Sequence, residues 1–377
     1  MRIIFAGGGT AGHVNPAIAA ADYIRAREDG EALFCGGTGN IEEGLVKKAG
    51  YEIVTFPLKG LSRSLSPKGI VTNIKAAANT VSAVSGCKKV IADFRPDVVM
   101  GTGGYASYPM VAAAAKMGVK TAILEVNATP GVSTKRLAKR ADKIMISYES
   151  TRGLLPHGDK VVLTGLPVKE GFFQNRGERV EPLFGNGLNT VFCFWGSVGA
   201  LHMNKKMLDF LMVLAKRRDF NMLYGAGANH IGMMRDELEK RGLNLDECDN
   251  IDLRDYIYDM DKVMHAADLV ICRAGGTLAE LCASGRPSII VPSPWVAENH
   301  QEKNARVLEK AGAAVVMLES AATGEEIYTE VLKLLHRPEK LRQMGEAANR
   351  LAQPQALEKI YETLKKLTAA PSLGGAT

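Results

Sequence analysis

A chain of 377 residues has room for two ordinary domains, each burying its own core. With 46% apolar and 23% charged residues it has the balance of a soluble globular protein, and no run reaches the roughly 18 apolar residues of a membrane-spanning helix. Charge is uneven: residues 1–165 carry 21 Lys and Arg against 13 Asp and Glu, a net of +8, while 166–377 carry −2. A basic first half suits an anionic partner such as a membrane face, a phosphorylated substrate or nucleic acid. Only 6% of residues are aromatic and none interleave with basic clusters, which counts against nucleic acid. The six cysteines (35, 87, 193, 248, 272, 282) form no C-x-x-C pair and sit mostly in apolar runs, as expected of buried thiols in a reducing compartment. The apolar start, Met1 to Ala6, meets glycine too soon for a signal peptide.

The first predicted strand, 2–6, runs into Gly7-Gly8-Gly9-Thr10-Ala11-Gly12-His13 and then a helix. A helix N-terminus presents unpaired N–H groups and the positive end of a dipole, so an anionic group can settle there. Gly7-x-Gly9-x-x-Gly12 also matches the dinucleotide fingerprint, which requires an acid closing the second strand. Here 31–35 passes into Gly36-Gly37-Thr38-Gly39-Asn40 with no carboxylate at the strand end, which argues against hydride transfer. His13 has two readings: a general base facing a ligand over the turn, or a cap on backbone groups.

A third strand, 52–56, precedes a segment, 66–92, whose apolar residues Ile70, Ile74, Ala77, Val81, Val84 and Ile91 recur at helical spacing among Lys68, Lys75, Lys88 and Lys89. The residues alone favour a packed surface helix with solvated lysines; the other reading is contact with an anionic bilayer, helped by Lys135, Arg136, Lys139 and Arg140. Strands at 97–101, 120–124, 143–147 and 161–164 complete the first half. Pro167 and the polar stretch 174–189 read as the link between halves.

The second half repeats the rhythm, with strands at 190–195, 221–225, 250–253, 269–272, 287–292 and 313–318. Short apolar runs alternating with helix-length segments predict doubly wound parallel sheets. One strand ends in Trp195-Gly196-Ser197-Val198-Gly199-Ala200, a small-residue turn with a hydroxyl donor. Another ends in Arg273-Ala274-Gly275-Gly276-Thr277, a second strand–glycine–helix turn. Glu280 follows: it could grip two ribose hydroxyls while N–H groups hold a diphosphate, or simply stabilise its own helix end. His300-Gln301-Glu302-Lys303-Asn304 brings amides suited to sugar hydroxyls to a helix start. The seven histidines are scattered without H-x-x-x-H spacing, and Asp259-Met260-Asp261 reads as a helix start, so no metal site is expected. Helical periodicity over about 338–368 predicts a C-terminal helix folding back on the first domain, with a frayed tail at 371–377.

Taken in order, several of these segments resemble the MurG family of peptidoglycan glycosyltransferases from residue 1 to about 320: residues 8–16, 101–105 (Gly-Thr-Gly-Gly-Tyr), 125–127 (Glu-Val-Asn), 165–168, 196–200, 273–275 and 299–305. The resemblance implies a GT-B fold, two Rossmann-like doubly wound parallel-sheet domains facing a cleft. Domain 1–165 would take the acceptor and face the membrane, 166–340 would bind the UDP-sugar, and 341–377 would return to the first domain. It implies a metal-independent, inverting transfer of N-acetylglucosamine from UDP-N-acetylglucosamine to a lipid-linked muramyl 4-hydroxyl, with no cofactor.

Carried over by position, His13 and Glu125 would be catalytic, and Gly8, Gly9, Gly103, Gly104 and Tyr105 would bind the acceptor. The donor would meet Thr10, Ala11 and Gly12; Asn127 and Gln301 on the sugar; Gly196 and Ser197 on the diphosphate; Ile257 on uracil; and Glu280 on the ribose. Lys169, Arg273, Gly275, Gly276, Thr277, His300 and Asn304 complete that set. A lipid-linked acceptor favours the membrane reading of 66–92 and 135–140 and a peripheral place on the cytoplasmic face of the cell membrane.

The chain departs from the family pattern at several turns. Trp195 replaces a glycine, Val198 a polar residue, Leu166 an Asn and Lys169 an Arg; Leu124 and Val126 replace the His and Gln flanking the acid; the 273–280 loop is one residue shorter. Such changes are also compatible with a paralogue that glucosylates diacylglycerol or another lipid, a UDP-N-acetylglucosamine 2-epimerase, or a silent nucleotide-sugar binder.

Overall fold

The computed structural model describes residues 1–58, 66–156, 158–173, 182–196 and 199–369, without the side chains of 67–78, 81 and 297. Ser197, Val198, the 174–181 part of the expected link and the 370–377 tail therefore lie outside the described residues, as do the Lys68 and Lys75 side chains.

The chain divides into two compact units, one made of residues 1–168 with 355 onward, the other of 169–354. The first is built on seven parallel strands in the order β3-β2-β1-β4-β5-β6-β7. They are β1 Arg2–Gly7, β2 Glu31–Gly37, β3 Glu52–Phe56, β4 Val98–Gly103, β5 Lys120–Glu125, β6 Lys143–Ile146 and β7 Val161–Leu163. β1 pairs Ile4 with Leu33 of β2 on one side and with Val99 of β4 on the other. Helices α1 Ala11–Arg25, α2 Ile41–Lys48, α3 Pro67–Phe94, α4 Ser107–Lys116 and α5 Val132–Leu137 connect the strands. α4 is alanine-rich and almost wholly buried, and both α3 and α5 pack against it.

The second unit has six parallel strands in the order β10-β9-β8-β11-β12-β13: β8 Thr190–Phe194, β9 Asn221–Gly225, β10 Ile251–Arg254, β11 Leu269–Cys272, β12 Ser288–Ile290 and β13 Ala314–Val316. Its helices are α6 Leu201–Arg217, α7 Ile231–Lys240, α8 Met260–Ala266, α9 Thr277–Ser284, α10 His300–Lys310, α11 Gly324–Leu335 and α12 Pro338–Leu351. β8 and β11 are buried at every position, the near-continuous apolar run of strands covered by helices on both faces. α11 starts sharply because Thr323 and Glu326 form a reciprocal capping box.

The expected single helix over 338–368 is two. α12 ends at Leu351, Ala352 is extended, and Pro354, which disfavours helical backbone in the residue before it, precedes α13 Ala356–Ala369. α12 packs on α9 and α11 within the second unit, whereas α13 packs on α1, β5 and β6, with Tyr361 against Tyr23. At the other crossing, the short turn Glu170–Phe172 rests on α8 and α9, and Gly171 O accepts from His265 Nε2 at 3.1 Å.

Candidate active site

In each unit the strand order reverses direction between two neighbouring strands, β1 and β4 in the first and β8 and β11 in the second. Ligands of open parallel sheets bind outside the carboxyl ends of the strands at such points. The glycine turns 7–13, 103–104 and 275–276 and Gly196 follow these four strands, while Glu125 ends β5 and Ile257 and His300 come after β10 and β12.

In the first unit, Gly8, Gly9 and Thr10 leave β1, and Ala11, Gly12 and His13 form the open first turn of α1. His13 is held from the β4 loop: its Nδ1 donates to Thr102 O at 3.0 Å, and Thr102 Oγ1 donates to His13 O at 2.7 Å. A carbonyl can only accept, so Nδ1 carries a proton, and in the neutral ring the lone pair then lies on Nε2. The two loops touch so closely that glycine is required. Gly103 has φ +105° and a Cβ there would lie 2.5 Å from His13 Nδ1; on Gly104, φ +75°, it would lie 2.1 Å from Gly8 O. Tyr105 follows, its hydroxyl 3.4 Å from Glu42 Oε1; burial and the Glu42 charge push it up to about 12.

Beside them, β5 ends in Glu125, only 3% exposed. Its Oε1 accepts from Asn127 N at 2.9 Å and Asn127 Nδ2 at 3.0 Å, and its Oε2 from Gly131 N at 2.9 Å. A carboxylate saturated in this way organises the 125–131 loop and sets the orientation of Asn127. Leu124 and Val126, the departures flanking it, are both buried.

In the second unit, Gly196 follows β8 with φ +89° ahead of α6. Trp195, where the resemblance led to an expected glycine, is not among the residues of positive φ, so its backbone does not need one. Its indole is buried and donates through Nε1 to Tyr224 OH at 2.8 Å; Tyr224 OH donates to Asn204 Oδ1 at 2.6 Å, and Asn204 Nδ2 to Ala226 O at 2.9 Å. Arg273 lies over the Trp195 ring, 5.6 Å from its centroid, and its guanidinium donates to Val291 O at 2.9 Å and Glu319 Oε2 at 2.6 Å. Arg273 thereby ties the end of β11 to Trp195, Val291 and Glu319.

Gly275 and Gly276 lead into α9, whose first turn carries Thr277 and Glu280. Burial raises the Glu280 carboxyl to about 7, against the pull of Lys169 and a hydrogen bond from Thr277, and its charge also reaches Tyr256. Ile257 is buried in the β10–α8 loop between two exposed tyrosines, 256 and 258, whose rings lie 4.9 Å apart. α10 begins at His300 after two residues in left-handed conformation, Glu298 and Asn299. Gln301 Oε1 accepts from Ser293 N at 2.8 Å, and buried Asn304 donates to Ala274 O at 3.2 Å.

The structure thus brings His13, Thr10–Gly12, Gly103–Tyr105, Glu125 and Asn127 to one edge of the first sheet, and places Gly196, Ile257, Arg273–Thr277, Glu280 and His300–Asn304 on loops and helix starts after strands of the second. Lys169 opens the second unit within electrostatic reach of Glu280. Among the described residues no three His, Cys, Asp or Glu side chains gather as a metal-binding set. Sequence reasoning missed Glu42, Thr102, Tyr224 and Glu319. Only Glu42 carried a signal, an acid in the first turn of a helix after a glycine-rich run.

Residues 3–146 match the glycosyltransferase family 28 N-terminal domain and 190–360 its C-terminal domain. The UDP-N-acetylglucosamine–N-acetylmuramyl-(pentapeptide) pyrophosphoryl-undecaprenol N-acetylglucosamine transferase of Acetivibrio thermocellus is 37% identical, covering 99% of this chain and 100% of the relative. The chain belongs to this transferase family. A second member, from Oenococcus oeni, is 38% identical over 97% of this chain and 96% of its own. The crystal structure of Acinetobacter baumannii MurG superposes with a TM-score of 0.71 at 25% identity, covering 97% of this chain and 99% of that one. Both units are therefore Rossmann-like halves of a GT-B fold. A Neisseria meningitidis UDP-GlcNAc 2-epimerase bound to UDP-GlcNAc shares the fold, with a TM-score of 0.67 at 16% identity over 97% of this chain and 100% of that one.

Proposed function

We propose that this MurG-family enzyme moves N-acetylglucosamine from UDP-N-acetylglucosamine to the muramyl 4-hydroxyl of lipid I, giving lipid II for peptidoglycan synthesis, with inversion at the sugar. The observation that carries the reading is 37% and 38% identity, over 99% and 97% of the chain, with transferases of that name.

The residues supply a mechanism. With its Nδ1 proton bonded to Thr102 O, His13 offers Nε2 to the attacking hydroxyl. The hydroxyl proton passes to Nε2 as the new carbon–oxygen bond forms, the sugar–phosphate bond breaks, and its electron pair leaves on UDP. Gly103, Gly104 and Tyr105 hold the acceptor, and Glu125 acts through Asn127, which meets the sugar. On the donor side, N–H groups of the turns opening α6 and α9 meet the diphosphate and stabilise the charge that develops on it. Ser197 adds its hydroxyl, Ile257 reads uracil through its backbone, Glu280 accepts from the ribose hydroxyls, and His300 and Gln301 meet the sugar. Helix ends supply the positive field at the leaving group, and no divalent cation takes part. The acceptor is lipid-linked, and the enzyme works peripherally on the inner face of the cell membrane.

Labelled UDP-N-acetylglucosamine with synthetic lipid I should give labelled lipid II at the same rate with and without EDTA. Transfer only from UDP-glucose or only to diacylglycerol would overturn the assignment, and a product from the UDP-sugar alone would mark an epimerase instead.

A further inference from the structure

Glu42 is wholly buried, yet it sits in the first turn of α2, where a carboxylate normally faces water. Its Oε1 accepts from Gly37 N at 2.8 Å and from Tyr105 OH at 3.4 Å, and its Oε2 from Gly9 N at 3.1 Å. Only the first of these bonds is local. The others reach 33 residues back to the turn that carries His13 and 63 residues on to the loop that carries Tyr105.

The backbone is shaped around this group: a Cβ on Gly8 would lie 2.2 Å from Oε1, and one on Gly36 2.6 Å from Cγ. Glu43, next in the chain, shows what a first-turn acid does when its work is local, accepting from Gly39 N and pairing with Lys47 one turn on. Burying a carboxylate is costly unless its lone pairs are satisfied, and an amide or a water could close the Gly37 turn at less expense. What the carboxylate adds is a pair of acceptors shared by three loops. With the His13–Thr102 bonds it completes a ring of contacts, from Gly9 through His13 and Thr102 to Tyr105 and back to Glu42.

We infer that Glu42 is a positioning residue for the transfer, fixing the His13 turn and the Tyr105 hydroxyl in one register on the acceptor side. The inference rests on the reading of His13 as the base. It makes Tyr105 a group whose orientation is set from beneath, and it explains why Gly8 and Gly36 carry no side chain.

The test uses the full-length enzyme with synthetic lipid I. Glu42→Gln keeps the shape but turns an N–H toward donors, and Glu42→Asp keeps the charge but shortens its reach. Both should lower kcat by about tenfold or more, since small misplacements of a catalytic group cost that much, and should raise the acceptor KM. UDP affinity, measured by calorimetry without acceptor, should stay within about twofold, because no donor group of the second unit is altered. Tyr105→Phe should lower activity in the wild-type background and add little to Glu42→Gln, since both break the same contact. Folded Glu42→Gln with wild-type kcat and acceptor KM would overturn the inference, as would full additivity with Tyr105→Phe. If Glu42→Gln does not fold, Glu42→Asp and the Tyr105→Phe pairing decide by the same readings. Absence of turnover in the wild type would refute the function, not the role of Glu42.

Discussion

His13 and Glu280 are the two residues on which the proposed chemistry turns, and each gives a distinct prediction. Removing the imidazole takes away the proton acceptor but no donor contact of the second unit. His13→Ala should therefore lower kcat by about 10²–10⁴ while leaving UDP affinity, read by calorimetry, unchanged. Glu280 has a carboxyl raised to about 7 by burial, above the roughly 4.3 of an unfolded chain. For an acid shifted upward, the folded state favours the neutral form. The stability it contributes is complete below about pH 4.3 and lost as pH climbs through about 7. Glu280→Gln has no charge to bury, so its Tm relative to wild type should rise between pH 5 and pH 8 in thermal melts. If Glu280 holds the ribose as proposed, the same substitution should weaken UDP binding by about tenfold at pH 8, where the wild-type carboxylate is ionised and can accept from both hydroxyls. Wild-type UDP affinity should itself increase from pH 6 to pH 8, because the nucleoside selects the ionised form. His13 and Glu280 were both legible in the sequence as candidates. The environment of His13 was not, because the carbonyl that holds its ring belongs to Thr102, 89 residues further on.

At the scale of elements, the sequence located the sheets well. All thirteen predicted strands occur, most within a residue or two at each end, because strands covered on both faces read as unbroken apolar runs such as Leu269–Cys272. The C-terminal helix was misread for a local reason: apolar spacing continued across Pro354 while the backbone could not. Trp195 was legible only as an oddity beside the Gly196 turn. Folding makes it the head of a buried chain through Tyr224 and Asn204, roofed by Arg273. Trp195→Phe keeps the ring but loses the Nε1 donor, at about 1 kcal/mol, so thermal melts should show a Tm lower by about 2–4 °C. Trp195→Gly should cost about 3–5 kcal/mol and roughly 10 °C. Failure of Trp195→Gly to melt earlier would show that the neighbours repack without it.

Across the whole molecule, part of the basic excess of the first half is exposed on identifiable elements. Lys88 and Lys89 on α3 and Lys135, Arg136, Lys139 and Arg140 in and after α5 are exposed on elements that flank the buried helix α4. No described helix is long and apolar enough to cross a membrane. Surface attraction to anionic lipid is worth about 1 kcal/mol for each Lys or Arg near the bilayer. Replacing Lys135, Arg136, Lys139 and Arg140 together by Glu should abolish flotation with phosphatidylglycerol vesicles and leave UDP affinity intact. Equal flotation of wild type and variant would remove this surface from membrane contact.

The sequence alone determined the two-part α/β architecture and the order of its turns, because apolar periodicity and glycine placement are written locally and read locally. It also marked the residue types able to carry a proton or hold a nucleotide. The tertiary structure decided which of them are held, and by what. Glu125 is saturated by its own loop, Arg273 is committed to Glu319, and Glu42 is drawn under a turn 33 residues away. Those outcomes depend on hydrogen bonds between segments far apart in the chain, whose geometry exists only once the sheets have brought their strand ends together.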